Sequence, residues 1–210
     1  MKSLILKDIY SLQKAFKMIL VLVVFYIVIF LLTGASQALP MVMAILAVTF
    51  PISTFSYDEA NKWDRYALSG PLTRQHIVYA KYLLCLLLMG LALLIGLLGM
   101  AVMSFFTESR PLSEILLTVG LSVLLGLLGQ AIILPFIYKL GAERGRMLLV
   151  AVMMIPILSI ILYTRFAPFG LRQVVESYLR YFPVVLAVLA AVGYALSYKI
   201  SLRIYMGKDF

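Results

Sequence analysis

Residues 55–82 read FSYDEANKWDRYALSGPLTRQHIVYAKY, and they form the longest polar segment of a chain that is otherwise largely apolar. The segment contains the only Trp and the only His of the chain, Trp63 and His76, together with three of the nine acidic and four of the eighteen basic residues. Hydrophobic stretches lie on both sides of it. We therefore predict a membrane protein with one structured loop in water, which either meets a partner or merely connects two spans.

The composition excludes most soluble protein classes. Of the 210 residues 64% are apolar and 13% are charged, whereas a soluble domain has about 25% charged residues. The net charge of +9 fits the basic loops that orient membrane spans, and the absence of a long basic run argues against a nucleic-acid partner. The single Cys85 lies in a hydrophobic run and has no second cysteine to pair with.

Six hydrophobic stretches are each long enough, or nearly so, to cross a bilayer, which takes about 20 residues. They cover residues 18–32, 39–55, 82–106, 112–138, 147–164 and 182–198. The segments on one side (1–17, 57–81, 139–146 and 199–210) carry 4, 4, 3 and 3 Lys and Arg, which makes 14, against 4 on the other side. The positive-inside rule then predicts an all-α integral membrane protein with six transmembrane helices and both termini cytoplasmic.

Two amphipathic segments flank the predicted spans. Residues 1–17 place apolar side chains at helical spacing among lysines, which predicts an N-terminal interfacial helix, with a frayed positive-inside terminus as the alternative. Residues 165–181 show a similar pattern, with Arg172, Glu176 and Arg180 on one face. They predict an amphipathic outer helix before the last span, with a plain extension of that span as the alternative. We expect one transmembrane domain over residues 1–210.

The polar segment has helix start and stop signals of its own. Ser56 and Glu59 fit a capping box, which predicts a helix beginning there, with Asp58 and Glu59 in its first turn and Trp63 on its surface. Gly70 and Pro71 predict its end. Thr73 then predicts the cap of the next helix.

The chain lacks the motifs of several enzyme and transporter classes. It has no GxxxxGK[ST], HExxH or GxSxG sequence, and one His with one Cys cannot form an ordinary zinc site. We expect the six spans to contain no Asp, Glu, Lys, Arg or His, which disfavours an ion-coupled transporter or a membrane-embedded enzyme. Gln130 is the polar residue at depth that could line a substrate path or donate a helix-to-helix hydrogen bond.

The polar segment contains one further pattern, made of Asp58-Glu59, Asn61-Lys62-Trp63, Tyr66, Leu68-Ser69, Pro71, Arg74, Ile77-Val78 and Lys81-Tyr82. This pattern resembles a signature of small permease subunits of type-2 ABC exporters, in the bacterial branch that includes the phenol-soluble-modulin exporters. The chain departs from that signature at Gly70, where an apolar residue is expected.

The resemblance implies a permease in the bacterial cytoplasmic membrane, built from two permease chains and energised by two separate ABC ATPase subunits. ATP and Mg²⁺ would bind to the ATPase, so this chain would carry no cofactor or metal and would not be an enzyme by itself. The substrates would be amphipathic or antimicrobial-type peptides or other lipophilic molecules. The alternative is a non-transport scaffold or sensor that binds a regulator through the same loop.

The same resemblance implies that the loop after the second span is a coupling helix that docks on the ATPase. The second cytoplasmic loop would add a lesser contact through Glu143 and Arg144. The candidate contacts in the first loop are Asp58, Glu59, Lys62, Trp63, Arg65, Tyr66 and Arg74.

Overall fold

The computed structural model describes residues 2–33, 37–70, 73–106, 111–166 and 181–208, and these residues form helices joined by short turns without any strand. Each predicted span coincides largely with a helix. The helices are α1 (Lys2–Thr33), α2 (Ala38–Ala60), α3 (Trp63–Leu68), α4 (Arg74–Phe106), α5 (Leu112–Leu140), α6 (Ala142–Phe166) and α7 (Phe182–Met206).

Four helices of the described chain are long and apolar enough to cross a membrane: α2, α4, α5 and α7. A shorter apolar stretch, Leu20–Phe30, lies within α1. An all-α membrane protein is therefore confirmed, while the number of six spans stays a prediction.

The core lies where α2, α4, α5 and α7 pack together, and glycines allow the closest approaches. A Cβ atom on Gly99 would lie 2.3 Å from Leu39 of α2, and one on Gly126 would lie 2.4 Å from Met89 of α4. Real Cβ atoms do not approach other atoms so closely, so a larger residue at either point would require the end of the Leu39 or Met89 side chain to move. Gly99 and Gly126 belong to two Gly-Leu-Leu-Gly sequences, residues 96–99 and 126–129, so helices contact each other closely at both sequences.

The N-terminal segment is helical and continues directly into the first predicted span, while its position in the membrane interface stays a prediction. α1 runs without a break from Lys2 to Thr33, so residues 1–17 do not form a helix of their own. Leu4 and Asp8, one turn apart, are both buried against the rest of the chain. Tertiary contacts, which a single-segment pattern does not reveal, hold this part of α1.

The predicted capping box at Ser56 is wrong. α2 continues to Ala60, so Asp58 and Glu59 lie in its last turn rather than in a first turn. The Ser56 hydroxyl donates to the carbonyl of Ile52, 3.1 Å away, as serines inside helices do. The break comes later, at Lys62, whose φ of 50° turns the chain into α3.

The other local signals in this segment are confirmed. α3 ends at Leu68, just before Gly70. The Thr73 hydroxyl accepts the His76 N–H at 3.3 Å and so caps α4. The outer helix predicted over residues 165–181 falls mostly outside the described residues.

The expectation of spans free of charge needs a correction at their ends. Lys81 is 5% exposed and lies inside α4, one of the four apolar helices. Glu114 lies in the first turn of α5. Both residues lie near the start of their helix, and residues 82–106 of α4 and 115–138 of α5 contain no charged side chain.

Candidate functional site

Polar contacts gather at one end of the helices, which we call the α3 end. It comprises α3 and the adjoining ends of the other helices: the start of α1, the end of α2, the start of α4, the end of α5, the start of α6 and the end of α7. Hydrogen bonds and ion pairs cross between these elements, whereas most of the remaining contact surface is apolar.

Four charged side chains form a buried cluster at the α3 end. The Lys81 Nζ lies 2.9 Å from the Asp8 Oδ1 and 2.6 Å from the Asp58 Oδ2. Lys7 also pairs with Asp58, and its Nζ is 3.2 Å from Asp8. Two cations thus balance two anions, as buried charges require. The Thr54 hydroxyl accepts a further hydrogen bond from Lys81 at 3.1 Å. The cluster fastens α1 to α2 and α4.

The cluster reaches α3 through Trp63. The Lys7 ammonium lies 4.2 Å from the centre of the Trp63 ring, a cation–π distance. The Tyr66 ring lies 5.4 Å from that of Trp63. The half-buried Trp63 is therefore engaged by α1 rather than projecting freely.

Glu59 connects the end of α2 to the start of α6. Its two carboxylate oxygens accept the Ala142 N–H at 2.9 and 3.2 Å, so a side chain from one helix caps the N-terminus of another. Gly141, with a φ of 90°, gives the turn a conformation that suits glycine. The Arg146 Nη2 adds a bond to the Ser56 Oγ at 3.4 Å. The two turns at this end are thereby joined.

Asp64 and Arg74 connect α3 and the start of α4 to the end of α7. The Tyr205 hydroxyl donates to the Asp64 Oδ1 at 2.8 Å. The Arg74 guanidinium donates to the carbonyl of Tyr205 at 3.2 Å and to that of Met206. A cation at the last carbonyls of a helix is favoured by the helix dipole. α3 is consequently held by α7 as well as by α1.

Other residues of the predicted site face outward. Tyr66 is 71% exposed. Lys62, Arg65, Glu143 and Arg144 are exposed too, and their side chains make no hydrogen bond or ion pair with the part of the chain that the structure describes. The predicted site thus divides into a buried or bonded set (Asp58, Glu59, Trp63 and Arg74) and an outward set.

Gln130 lies far from this end, between α5 and α2, and is 2% exposed. Its Nε2 donates to the carbonyl of Ala47 at 3.0 Å. That carbonyl would normally accept the N–H of residue 51, which is a proline and has none. The predicted helix-to-helix hydrogen bond is therefore present, while a place in a substrate path stays a prediction.

Sequence reasoning missed Lys7, Asp8, Asp64 and Tyr205. One signal was available for Asp8: it lies four residues after Leu4, on an otherwise apolar helical face. An acid in that position needs a buried cation, and Lys81 opens a long apolar run. Nothing in the sequence signals the pairing of Asp64 with Tyr205, 141 residues away.

The described residues of the α3 end leave only a small cavity. A cavity of about 30 Å³ lies among Asp58, Asp64, Tyr138 and Tyr205, enough for one or two water molecules and far too small for a peptide. Among the described residues no group of three or more His, Cys, Asp or Glu side chains could hold a metal ion. The arrangement instead fastens a short helix to several long ones.

The comparisons with known proteins agree with this architecture. The model of one protein family, described as ABC-2 family transporter protein, matches residues 3–206. Neither the curated proteins nor the solved structures gave a match.

Proposed function

The chain belongs to the ABC-2 transporter family and is a multi-pass permease subunit of an ABC transporter, and we propose from this premise that it exports amphipathic peptides or other lipophilic molecules. Permeases of this kind work with an ABC ATPase. The ATPase binds ATP and Mg²⁺, because this chain contains no P-loop sequence.

We place the permease in a bacterial cytoplasmic membrane, with six spans, both termini inside and the α3 end facing the cytoplasm. The 14 to 4 distribution of Lys and Arg supports this orientation. The N-terminal part of α1 then lies at the inner surface. Two permease chains and two ATPase subunits form the complete transporter.

We assign α3 as the coupling helix on which the ATPase docks. The observation that carries this assignment is the fastening of α3 to long helices through the bond from Tyr205 to Asp64 and the contact of Lys7 with Trp63. A displacement of α3 by the ATPase would reach α7 and α1 through these contacts.

The outward set makes the contacts with the ATPase, and the bonded set positions α3. The contacts are Lys62, Arg65 and Tyr66 in the loop between α2 and α4, and Glu143 and Arg144 in the loop between α5 and α6. Asp58, Glu59, Trp63 and Arg74 act as positioning residues, because their side chains are already engaged within the chain.

The substrate path lies between the two permease chains, and its walls are apolar. The residues 82–106, 115–138 and 182–198 contain no charged side chain. Such a path favours peptides and lipids over small ions. Gln130 is its candidate polar residue.

The test is affinity purification of the tagged chain from its native cells, with Tyr66→Ala and Tyr79→Ala beside the wild type. Tyr79 is a matched control, an exposed tyrosine (47%) on α4. We expect an ATPase to accompany the wild type and Tyr79→Ala and to be depleted from Tyr66→Ala, since exposed tyrosines are common interface anchors. Absence of any ATPase from the intact wild-type sample would favour the scaffold or sensor.

Export is tested separately in cells that lack the chain. We expect these cells to become more sensitive to an added amphipathic peptide and to regain resistance with the wild type or Tyr79→Ala. Restoration of resistance by Tyr66→Ala to the same level would contradict the role of α3 in export.

A further inference from the structure

The acids and bases at the α3 end are sorted by whether they are bonded within the chain. Four of the acids in the described part of this end are bonded: Asp8 and Asp58 lie in the buried cluster, Asp64 accepts from Tyr205, and Glu59, although exposed, caps α6. Glu143 is the described acid at this end that is exposed and makes no hydrogen bond or ion pair with the described residues. By contrast, the exposed bases number seven in the described part of this end: Lys62, Arg65, Lys139, Arg144, Arg146, Lys199 and Arg203.

α3 itself shows the sorting most clearly. Its apolar residues face the protein, because Ala67 is 3% exposed and belongs to the core, and Trp63 and Leu68 pack against that core. Its outward side carries Arg65 and the ring of Tyr66, with Lys62 at the turn before it. A helix that binds a membrane surface would instead turn its apolar face outward. The outward side of α3 therefore suits a protein surface better than lipid.

We propose that the ATPase receives α3 in a groove with an acidic rim, in which Tyr66 fills the groove and Lys62, Arg65 and Arg144 meet carboxylates on the rim. This inference rests on the proposed docking of an ATPase and adds the chemistry of its surface. Complementary charge accelerates association and disfavours wrong partners. Because the described acids of the α3 end are bonded within the chain except Glu143, while seven bases are exposed there, this end presents a mainly positive field to its partner.

The first experiment uses a zero-length carbodiimide cross-linker on the complex purified from native cells. This reagent joins an amine to a carboxylate only when the two are in ion-pair contact. We expect the Lys62 amine to become joined to an Asp or Glu of the ATPase, identified by mass spectrometry of the linked peptides. The exposed Lys199, on α7, serves as the internal control and should give no such link.

The second experiment compares two variants that each lose two positive charges, Lys62→Gln/Arg65→Gln and Lys199→Gln/Arg203→Gln. The first variant should recover about tenfold less ATPase per permease chain than the wild type does. The difference between the two should be larger at low salt than at high salt. The second should leave recovery unchanged.

The outcomes separate the inference from the function on which it rests. The inference of an acidic rim is wrong if Lys62→Gln/Arg65→Gln binds as much ATPase as Lys199→Gln/Arg203→Gln does, or if the ATPase gives no cross-link to Lys62. Either result leaves the assignment as an ABC permease unchanged. No ATPase even with the wild type overturns the proposed docking. If the first variant instead lowers the amount of chain inserted in the membrane, the cations serve anionic lipid and the inference is wrong.

Discussion

Asp8 is 2% exposed, yet it carries a charge at the edge of an apolar helix bundle. Its charge is tolerated because the ammonium groups of Lys81 and Lys7 lie 2.9 and 3.2 Å away. Removing one member of such a buried set leaves its partner unbalanced, and this costs more than the pair itself contributes.

We therefore expect Asp8→Asn to lower the free energy of unfolding by about 3 kcal/mol, measured by denaturant titration of the purified chain in detergent. Glu143→Gln, at an exposed acid, is the control and should change little. Asp8→Asn/Lys81→Gln should recover part of the loss, because the pair of Lys7 and Asp58 remains neutral. Equal stability of Asp8→Asn and Glu143→Gln would show that the cluster is not energetically important.

The sequence singles out Asp58, Glu59 and Trp63 as candidate site residues, but it does not indicate whether their side chains face solvent or bond within the chain. A charged residue in a polar segment is equally compatible with solvent and with a buried partner. The partner of Asp58 lies on α1, 51 residues earlier, and no local pattern reports such a distance. Side chains that are exposed, such as Lys62 and Arg65, match the simpler expectation.

At the scale of one element, α2 contains a proline whose missing N–H is replaced from another helix. Pro51 leaves the Ala47 carbonyl without its usual donor, and the Gln130 amide of α5 takes that place. Buried carbonyls left without any donor cost free energy. The proline and the glutamine thus form one unit across two helices.

We predict that Gln130→Leu destabilises the chain by about 1–2 kcal/mol and that Pro51→Ala in the same chain cancels most of that loss, because residue 51 regains an N–H. A double-mutant cycle of unfolding free energies measures the coupling. Strictly additive effects of the two substitutions would mean that Gln130 does not serve the proline site.

We also predict that Glu59→Ala loosens the first turn of α6, whose Ala142 N–H it caps. Loss of an N-cap costs about 1 kcal/mol. Hydrogen exchange of the amides in residues 142–146 should become faster, whereas Glu143→Ala, on the same turn without a capping contact, should leave it unchanged. Unaltered exchange in Glu59→Ala would show that the cap is dispensable.

Long elements follow from the sequence, because runs of about 20 apolar residues have few alternatives in a membrane. Their ends do not. Ser56 and Glu59 offer a valid capping box, but packing of Phe55 and Asp58 against neighbouring helices extends α2 past it. Tertiary contact overrides a local signal that is worth only about 1 kcal/mol.

At the scale of the whole molecule, the helices alternate in direction. The α3 end joins the ends of α2, α5 and α7 to the starts of α1, α4 and α6. The opposite end is marked by a hydrogen bond of 3.2 Å from Gln37, at the start of α2, to Glu114, at the start of α5. Charge counting anticipates this alternation, but it does not reveal how the turns of one end are bonded together.

The orientation is testable with single cysteines in a Cys85→Ser background. We expect Leu112→Cys, at an exposed position (70%) near the start of α5, to react with a membrane-impermeant maleimide added to intact cells. Lys62→Cys and Lys208→Cys should react only after the membrane is opened. Labelling of Lys62→Cys in intact cells would place the α3 end outside and contradict the proposed docking.

The central claim is that an ATPase docks on α3 and on the adjoining turn between α5 and α6. The most direct measurement is hydrogen exchange of the purified complex compared with the permease chain after removal of the ATPase. We predict slower exchange in the complex over residues 62–70 and 141–146. Exchange over residues 112–118, at the opposite end, should be the same in both samples. Protection confined to other regions, or none at the α3 end, would contradict the claim.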